Sequence, residues 1–145
     1  MKLALEMAIQ AKEQGEVPVG AIIVHKGRVI AAEHNRVESL QDPTAHAELL
    51  ALRSACRVLG NWRLLDVVLY TTLEPCSMCL GAIINSRCPK VIWGAPDLRQ
   101  GADGSWCKLL HTPHPISNPQ LQGGCLAQES ACILREFFKS RRTEH

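Results

Sequence analysis

Apolar residues recur along this chain with two different periods, and each change of period marks a new element. In "MKLALEMAIQAKEQGE" they fall at helical spacing, which predicts a helix with Leu5, Ala8 and Ile9 inward and Lys2, Glu6, Lys12 and Glu13 outward. The pattern then shortens to β-rich runs. "VPVGAIIVH" and "RVIAAEH" predict two strands joined by a tight hairpin at Lys26-Gly27. Helical spacing returns in "QDPTAHAELLALRSACRVLG", with Leu49, Leu52 and Ala55 on one face, Asp42 or Thr44 as the expected cap, and Gly60 as the stop.

The second half opens on the continuous apolar run "DVVLYTTL", read as a buried strand. Pro75 then introduces a helix over about Ser77 to Ser86, and "KVIWGA" is the following strand. Strand, helix and strand with short connections predict a parallel, right-handed crossover. "GAPDLRQGADG" is a glycine-rich loop, followed by a short helix carrying Trp106, Leu109 and Leu110. A proline-rich stretch from Pro113 to Pro119 leads into a last helix from about Leu126 to Arg142. The order of elements predicts an α/β fold with one mixed sheet and helices on both faces.

Composition narrows this only slightly. At 145 residues the chain falls in the size range of one domain, so residues 1–145 are read as a single domain. A 4% aromatic content means that the core must be chiefly aliphatic. The formal net charge of +2 neither demands nor excludes nucleic acid, but Arg135, Lys139, Arg141 and Arg142 concentrate positive charge in the last helix, a pattern that suits a polyanion or simply a solvated face. Glu6 interrupts the first apolar stretch, so it does not read as a secretory leader, and no run approaches the ~18 apolar residues of a membrane span. No membrane association and a cytoplasmic, reducing compartment are therefore expected, with the seven cysteines as free thiols.

The candidate chemistry lies where two of these helices start. "TLEPCSMC" places Cys76 and Cys79 at a strand end and in a first helical turn, where residues three apart project to the same side. The positive end of the helix favours thiolate, the form that binds metal. "PTAHAEL" places His46 at another helix start, with Glu48 two positions on. On a regular helix such a pair diverges by about 200°, so both reach one site only if His46 is not yet helical. Three ligands, His46, Cys76 and Cys79, leave one tetrahedral position for water, the composition of a catalytic rather than a structural zinc site. Glu48 is then free to move a proton between that water and a substrate.

Competing readings stay open on the residues alone. Cys88 could close the site as a fourth ligand, which would make it structural, although "SRCPK" ends its helix away from the metal. Cys107, His111 and His114 form a second apparent cluster that Pro113 and Pro115 disturb. Cys56, Cys125 and Cys132 read as core thiols, and His25 and His34 as surface residues beside the hairpin.

The motifs H-x-E in "HAE" and P-C-x-x-C in "PCSMC" resemble the zinc-dependent nucleobase deaminases of the cytidine and deoxycytidylate deaminase superfamily. Within it, "EVPVGAIIV", "HNRVE", "DPTAHAEL", "NWRLLD", "TLEPCSMC", "GADGS" and "ESACILREFFKSRR" are most similar to the bacterial tRNA-specific adenosine deaminases. The resemblance implies a three-layer α/β/α fold around a central five-stranded mixed sheet. It implies one Zn2+ per subunit held by His46, Cys76 and Cys79, with Glu48 as the catalytic proton shuttle. It implies deamination of adenosine to inosine at the wobble position of a tRNA anticodon stem-loop, and a homodimer. By the same resemblance Asn35 would hydrogen-bond the flipped base, Asp97 and Arg99 would line the RNA groove, and Phe137, Phe138, Arg141 and Arg142 would meet RNA from the last helix, where adjacent Phe residues cannot both face the same way. Pro96 departs from the family's usual longer or basic side chain. Two other functions remain: a deaminase of a free base or nucleotide of guanine or cytidine type, and a non-catalytic zinc module that binds RNA. Glu48 speaks against the last, because a structural site has no use for a carboxylate beside an open position.

Overall fold

The computed structural model describes residues 1–144. The elements run α1 (Lys2–Glu13), β1 (Gly20–His25), β2 (Arg28–His34), α2 (Val37–Leu40), α3 (Ala47–Leu59), β3 (Val67–Leu73), α4 (Ser77–Asn85), β4 (Lys90–Ala95), β5 (Gln120–Gln122) and α5 (Ala127–Thr143). One five-stranded sheet has the order β2-β1-β3-β4-β5. β1 is antiparallel to both β2 and β3, whereas β3, β4 and β5 are parallel. The expected mixed sheet is therefore present, with β3–α4–β4 as its parallel crossover.

Residues of β1 alternate between the two faces, as strand geometry requires. Ala21 and Ile23 join Ala47, Ala51, Ala55, Leu80 and Ile83 in the main core beneath α3 and α4. Gly20 faces the other way, where a Cβ would run into the Ala4 carbonyl and the Ala8 amide of α1. This close approach selects a stripe of small residues. Ala4, Ala8 and Ala11 carry the α1 contact, while Ile9 is 44% exposed, contrary to the expectation that it would point inward. α5 packs beside α1 on the same face. The result is the predicted three-layer α/β/α arrangement.

Local signals account for most boundaries. Lys26 and Gly27 both have positive φ, 50° and 78°, as a two-residue turn matched to strand twist demands. Gly60 ends α3 in the left-handed conformation, with the Asn61 amide closing back on the Cys56 carbonyl. Two expectations are corrected and one strand is added. The cap of α3 is His46 rather than Asp42 or Thr44, because the Asp42 carboxylate is occupied by the Thr44 amide and hydroxyl. The short helix expected around Trp106 shrinks to a single 3-10 turn, Leu109–His111. Directly after the proline-rich stretch, Gln120–Gln122 adds β5 along the edge of β4, a three-residue strand with no apolar run to announce it.

Candidate active site

His46 and Cys76 occupy equivalent positions on two different helices. Each is the N-cap residue, with extended backbone (φ −71°, ψ 149° for His46; φ −75°, ψ 172° for Cys76), and neither side chain caps its own helix. An uncapped N-cap side chain is free to turn toward a shared ion, and the exposed amides of both helix starts favour negative charge between them. Cys79 follows one turn into α4 and is fully buried. The His46 Nδ1 atom lies 3.6 Å from Cys76 Sγ and 3.5 Å from Cys79 Sγ. Zinc–nitrogen and zinc–sulfur bonds of about 2.05 and 2.3 Å at a tetrahedral angle place the same atoms about 3.6 Å apart. The three donors therefore fit a tetrahedral zinc ion.

Among the described residues no further His, Cys, Asp or Glu joins this group. Cys88 is excluded as a fourth ligand, since it is buried and its thiol hydrogen-bonds the Lys90 carbonyl at 3.4 Å. Cys107, His111 and His114 do not converge either; the His114 Nδ1 atom accepts the Ile116 amide within its own turn. His46 and Cys76 line a cavity of about 250 Å³, whose walls also include Val19, Asn35, Glu48, Glu74 and Asp97.

The electrostatics are those of a buried acid–base cluster. Glu48 is 4% exposed, and burial is the largest cause lifting its carboxyl to about 7, partly offset by its hydrogen bonds and by His46. The hydrogen bond from Cys79 draws the Cys76 thiol down to about 4, with His46 adding to it. Cys79 moves well upward through that same bond and through burial. A divalent ion takes cysteine as thiolate, so its binding here would release protons.

Asn35 is 7% exposed, and its Oδ1 atom makes no hydrogen bond although it is buried. A buried acceptor left unpaired costs free energy unless something fills it. Asp97 lines the same cavity and accepts the Arg99 and Gln100 amides, at 3.0 and 3.3 Å. Arg99 is exposed on the rim loop.

The last helix lies elsewhere. Phe137 is buried at 6% exposure and Phe138 is 42% exposed, so the two adjacent rings divide between core and surface. Arg141 stacks over the Phe137 ring, 5.0 Å from its centroid, and donates to the Gly15 carbonyl, while Arg142 is exposed. None of these four lines the cavity beside the metal ligands. Two other expectations fail: Cys132 is exposed rather than a core thiol, and His34 is 3% exposed with its ring on the Asn35 carbonyl.

Two carboxylates escaped the sequence reading. Glu16, 1% exposed, accepts the Glu38 and Ser39 amides at the start of α2. Glu74, also 1% exposed, accepts the Asp97, Asp103 and Ser105 amides. Their only signal is an acid inside an otherwise apolar motif, "GEVPVG" and "TLEPC".

Comparison with known proteins agrees with this geometry. Residues 1–95 match the family model described as the cytidine and deoxycytidylate deaminase zinc-binding region. The tRNA-specific adenosine deaminase of Bacillus subtilis is 43% identical over 142 residues, 98% of this chain and 88% of that protein. The chloroplastic tRNA(adenine(34)) deaminase of Arabidopsis thaliana is 42% identical over 97% of this chain, which spans 12% of that longer protein. A solved structure from work on A-to-I editing by tRNA:A34 deaminases superimposes with a TM-score of 0.89 at 45% identity, covering 92% of this chain and 97% of that one. Guanine deaminase from Bacillus subtilis superimposes with a TM-score of 0.65 at 34% identity, covering 98% and 90%. With the family's two ligand motifs drawn into one half-shell beside a buried glutamate, the chain belongs to the zinc-dependent cytidine and deoxycytidylate deaminase family.

Proposed function

We propose that this protein deaminates adenosine to inosine at the wobble position of a tRNA anticodon stem-loop. The observation that carries the chemistry is the opening of the His46–Cys76–Cys79 half-shell onto a cavity that also holds Glu48 and the unpaired Asn35 Oδ1. A zinc ion bound there supplies Lewis acidity, bringing the pKa of a water in the open position toward about 7.

The protein's own residues do the rest. Asn35 orients the base by offering its free acceptor to a donor on the ring edge. Glu48 takes a proton from the attacking water and delivers it to ring nitrogen N1; a second proton leaves with the amine. One C–O bond forms at C6, one C–N bond breaks, and ammonia departs, so water is the only co-reactant. Asp97 at the cavity wall and the exposed Arg99 two residues on would meet the extruded nucleotide, and the exposed Phe138 and Arg142 would offer stacking and phosphate contact from the last helix.

The tRNA substrate is supported by the relatives, which carry that activity in their names at 42–43% identity over nearly the whole of this chain. A homodimer and a cytoplasmic setting accord with the same resemblance, and no helix among the described residues is long and apolar enough to cross a membrane. The structural likeness to guanine deaminase favours a second reading, a free-base deaminase with the same metal ligands. A competition assay separates them: the zinc-loaded protein is offered the stem-loop together with free adenosine, adenine, guanine and cytidine. Preferential consumption of the stem-loop supports tRNA editing, and preferential consumption of a free base supports the alternative.

A further inference from the structure

Glu74 sits between the last residue of β3 and the Pro75-Cys76 turn that carries a metal ligand. Its backbone amide extends the β3 pairing to the Ala95 carbonyl at 2.8 Å, which fixes the residue at the sheet edge. Its side chain turns inward and is almost fully buried. There one oxygen accepts the Asp97 amide at 3.2 Å and the Ser105 hydroxyl, and the other accepts the Asp103 amide at 2.9 Å and the Ser105 amide at 3.2 Å. All the partners belong to one loop, the loop that brings Asp97 and Gln100 to the cavity.

Other contacts reinforce the tether. The Ala102 amide donates to the Pro75 carbonyl at 2.8 Å, and Cys76 bridges to Gly101. Gly101 is packed so close that a Cβ there would meet the Glu74 carboxyl, so the loop wraps directly around this side chain. Trp93 of β4 holds the far side through its indole N–H to Asp103, at 2.8 Å. The Asp97 carboxylate in turn accepts the Gln100 amide, so a displacement of Asp97 carries Gln100 with it.

We propose that Glu74 is a positioning residue that couples the metal-ligand turn to the substrate-facing loop, setting where Asp97 and Gln100 stand relative to the metal. Its part in RNA binding rests on the function proposed above; its part in ordering the loop does not.

Glu74→Gln is close to a single-bond deletion. The Ser105 hydroxyl can reverse and accept from the new amide nitrogen, so Gln can keep the Asp103 and Ser105 contacts and lose only the Asp97 amide. Two measurements on the zinc-loaded protein test the proposal. In residue-resolved amide exchange, Asp97 is expected to exchange about tenfold faster in the variant, with Asp103 within about threefold of wild type and zinc content unchanged. In steady-state kinetics on a wobble-adenosine stem-loop, KM is expected to rise about tenfold while kcat stays within about threefold.

Unchanged Asp97 exchange overturns the proposal. So does joint loss of zinc and of protection throughout the loop, which would make Glu74 a folding residue only. A wild-type chain inactive on the stem-loop defeats the proposed substrate, yet the exchange experiment still decides the tether. If the variant fails to fold, exchange in the wild-type chain suffices: the proposal requires the Asp97, Asp103 and Ser105 amides to be protected, and fast exchange at all three contradicts it.

Discussion

His46 and Cys79 are separated by 33 positions in the chain, yet the His46 Nδ1 atom stands 3.5 Å from the Cys79 sulfur. Two helices, α3 and α4, start at the same end of the sheet and point their first residues at one spot. Each supplies part of a metal shell because its first turn has unpaired amides and an N-cap side chain free of capping duty. Glu48 reaches the same spot because it lies in the first turn of α3, behind a His46 whose backbone is still extended.

Glu48→Gln keeps the shape of the side chain and removes its ability to carry a proton. Turnover, followed as ammonia release, is expected to fall at least about 100-fold, while zinc content and secondary structure stay at wild-type levels. Full activity in this variant would contradict the role assigned to Glu48.

Zinc is expected to bind once per chain and to raise the melting temperature in proportion to the logarithm of its concentration. Cys76→Ser should lose the metal, whereas Cys88→Ser should keep one equivalent because its thiol points to Lys90. Metal analysis of the purified variants checks both. Loss of zinc from the Cys88 variant alone would restore the closed, structural site.

Asn35→Ala removes a buried acceptor that has no partner in the protein. Thermal stability should therefore change by less than about 1 kcal/mol, while kcat/KM for the stem-loop falls about 10- to 100-fold. A large loss of stability with unchanged kinetics would show Asn35 to be a structural residue.

These residues differ in how far the sequence could announce them. The β3–α4–β4 unit was legible because its cues are local: an apolar run, a proline at the helix start, a second apolar run. The metal ligands were legible for the same reason, since Cys76 and Cys79 share one turn and His46 sits two positions before an acid. Glu16 and Glu74 were not, because their partners are backbone amides more than 20 positions away and carry no side-chain signature. β5 escaped because three residues of polar-apolar-polar sequence become a strand only by pairing with β4. The inward face of α1 was misjudged at Ile9 because close contact with Gly20 selects small side chains, which a hydrophobicity pattern undervalues. Cys132 was misjudged because its apolar neighbours in sequence suggest a core position, whereas its exposed thiol turns to Glu136 on the same helix.

Burial also makes a prediction in alkali. It pushes the Cys88 thiol up to about 11, against about 9 when the chain is unfolded. The folded state therefore holds this proton more tightly than the unfolded state. The associated stabilisation is complete below about pH 9 and is lost as pH rises from about 9 to 11. Cys88→Ala should be less stable near pH 7, because it leaves a cavity, but should show a shallower decline over that window. Denaturant titrations across the range measure it, and parallel declines would contradict the assignment.

Hydrolysis at the wobble adenosine leaves an isotopic record. The zinc-loaded protein is incubated with an anticodon stem-loop in water enriched in oxygen-18, and the nucleosides are then analysed by mass spectrometry. Inosine at the wobble position carrying one solvent oxygen, with one ammonia released per inosine and none formed under chelator, is the predicted result. An unchanged stem-loop, in a preparation that holds zinc and deaminates a free base, would contradict it.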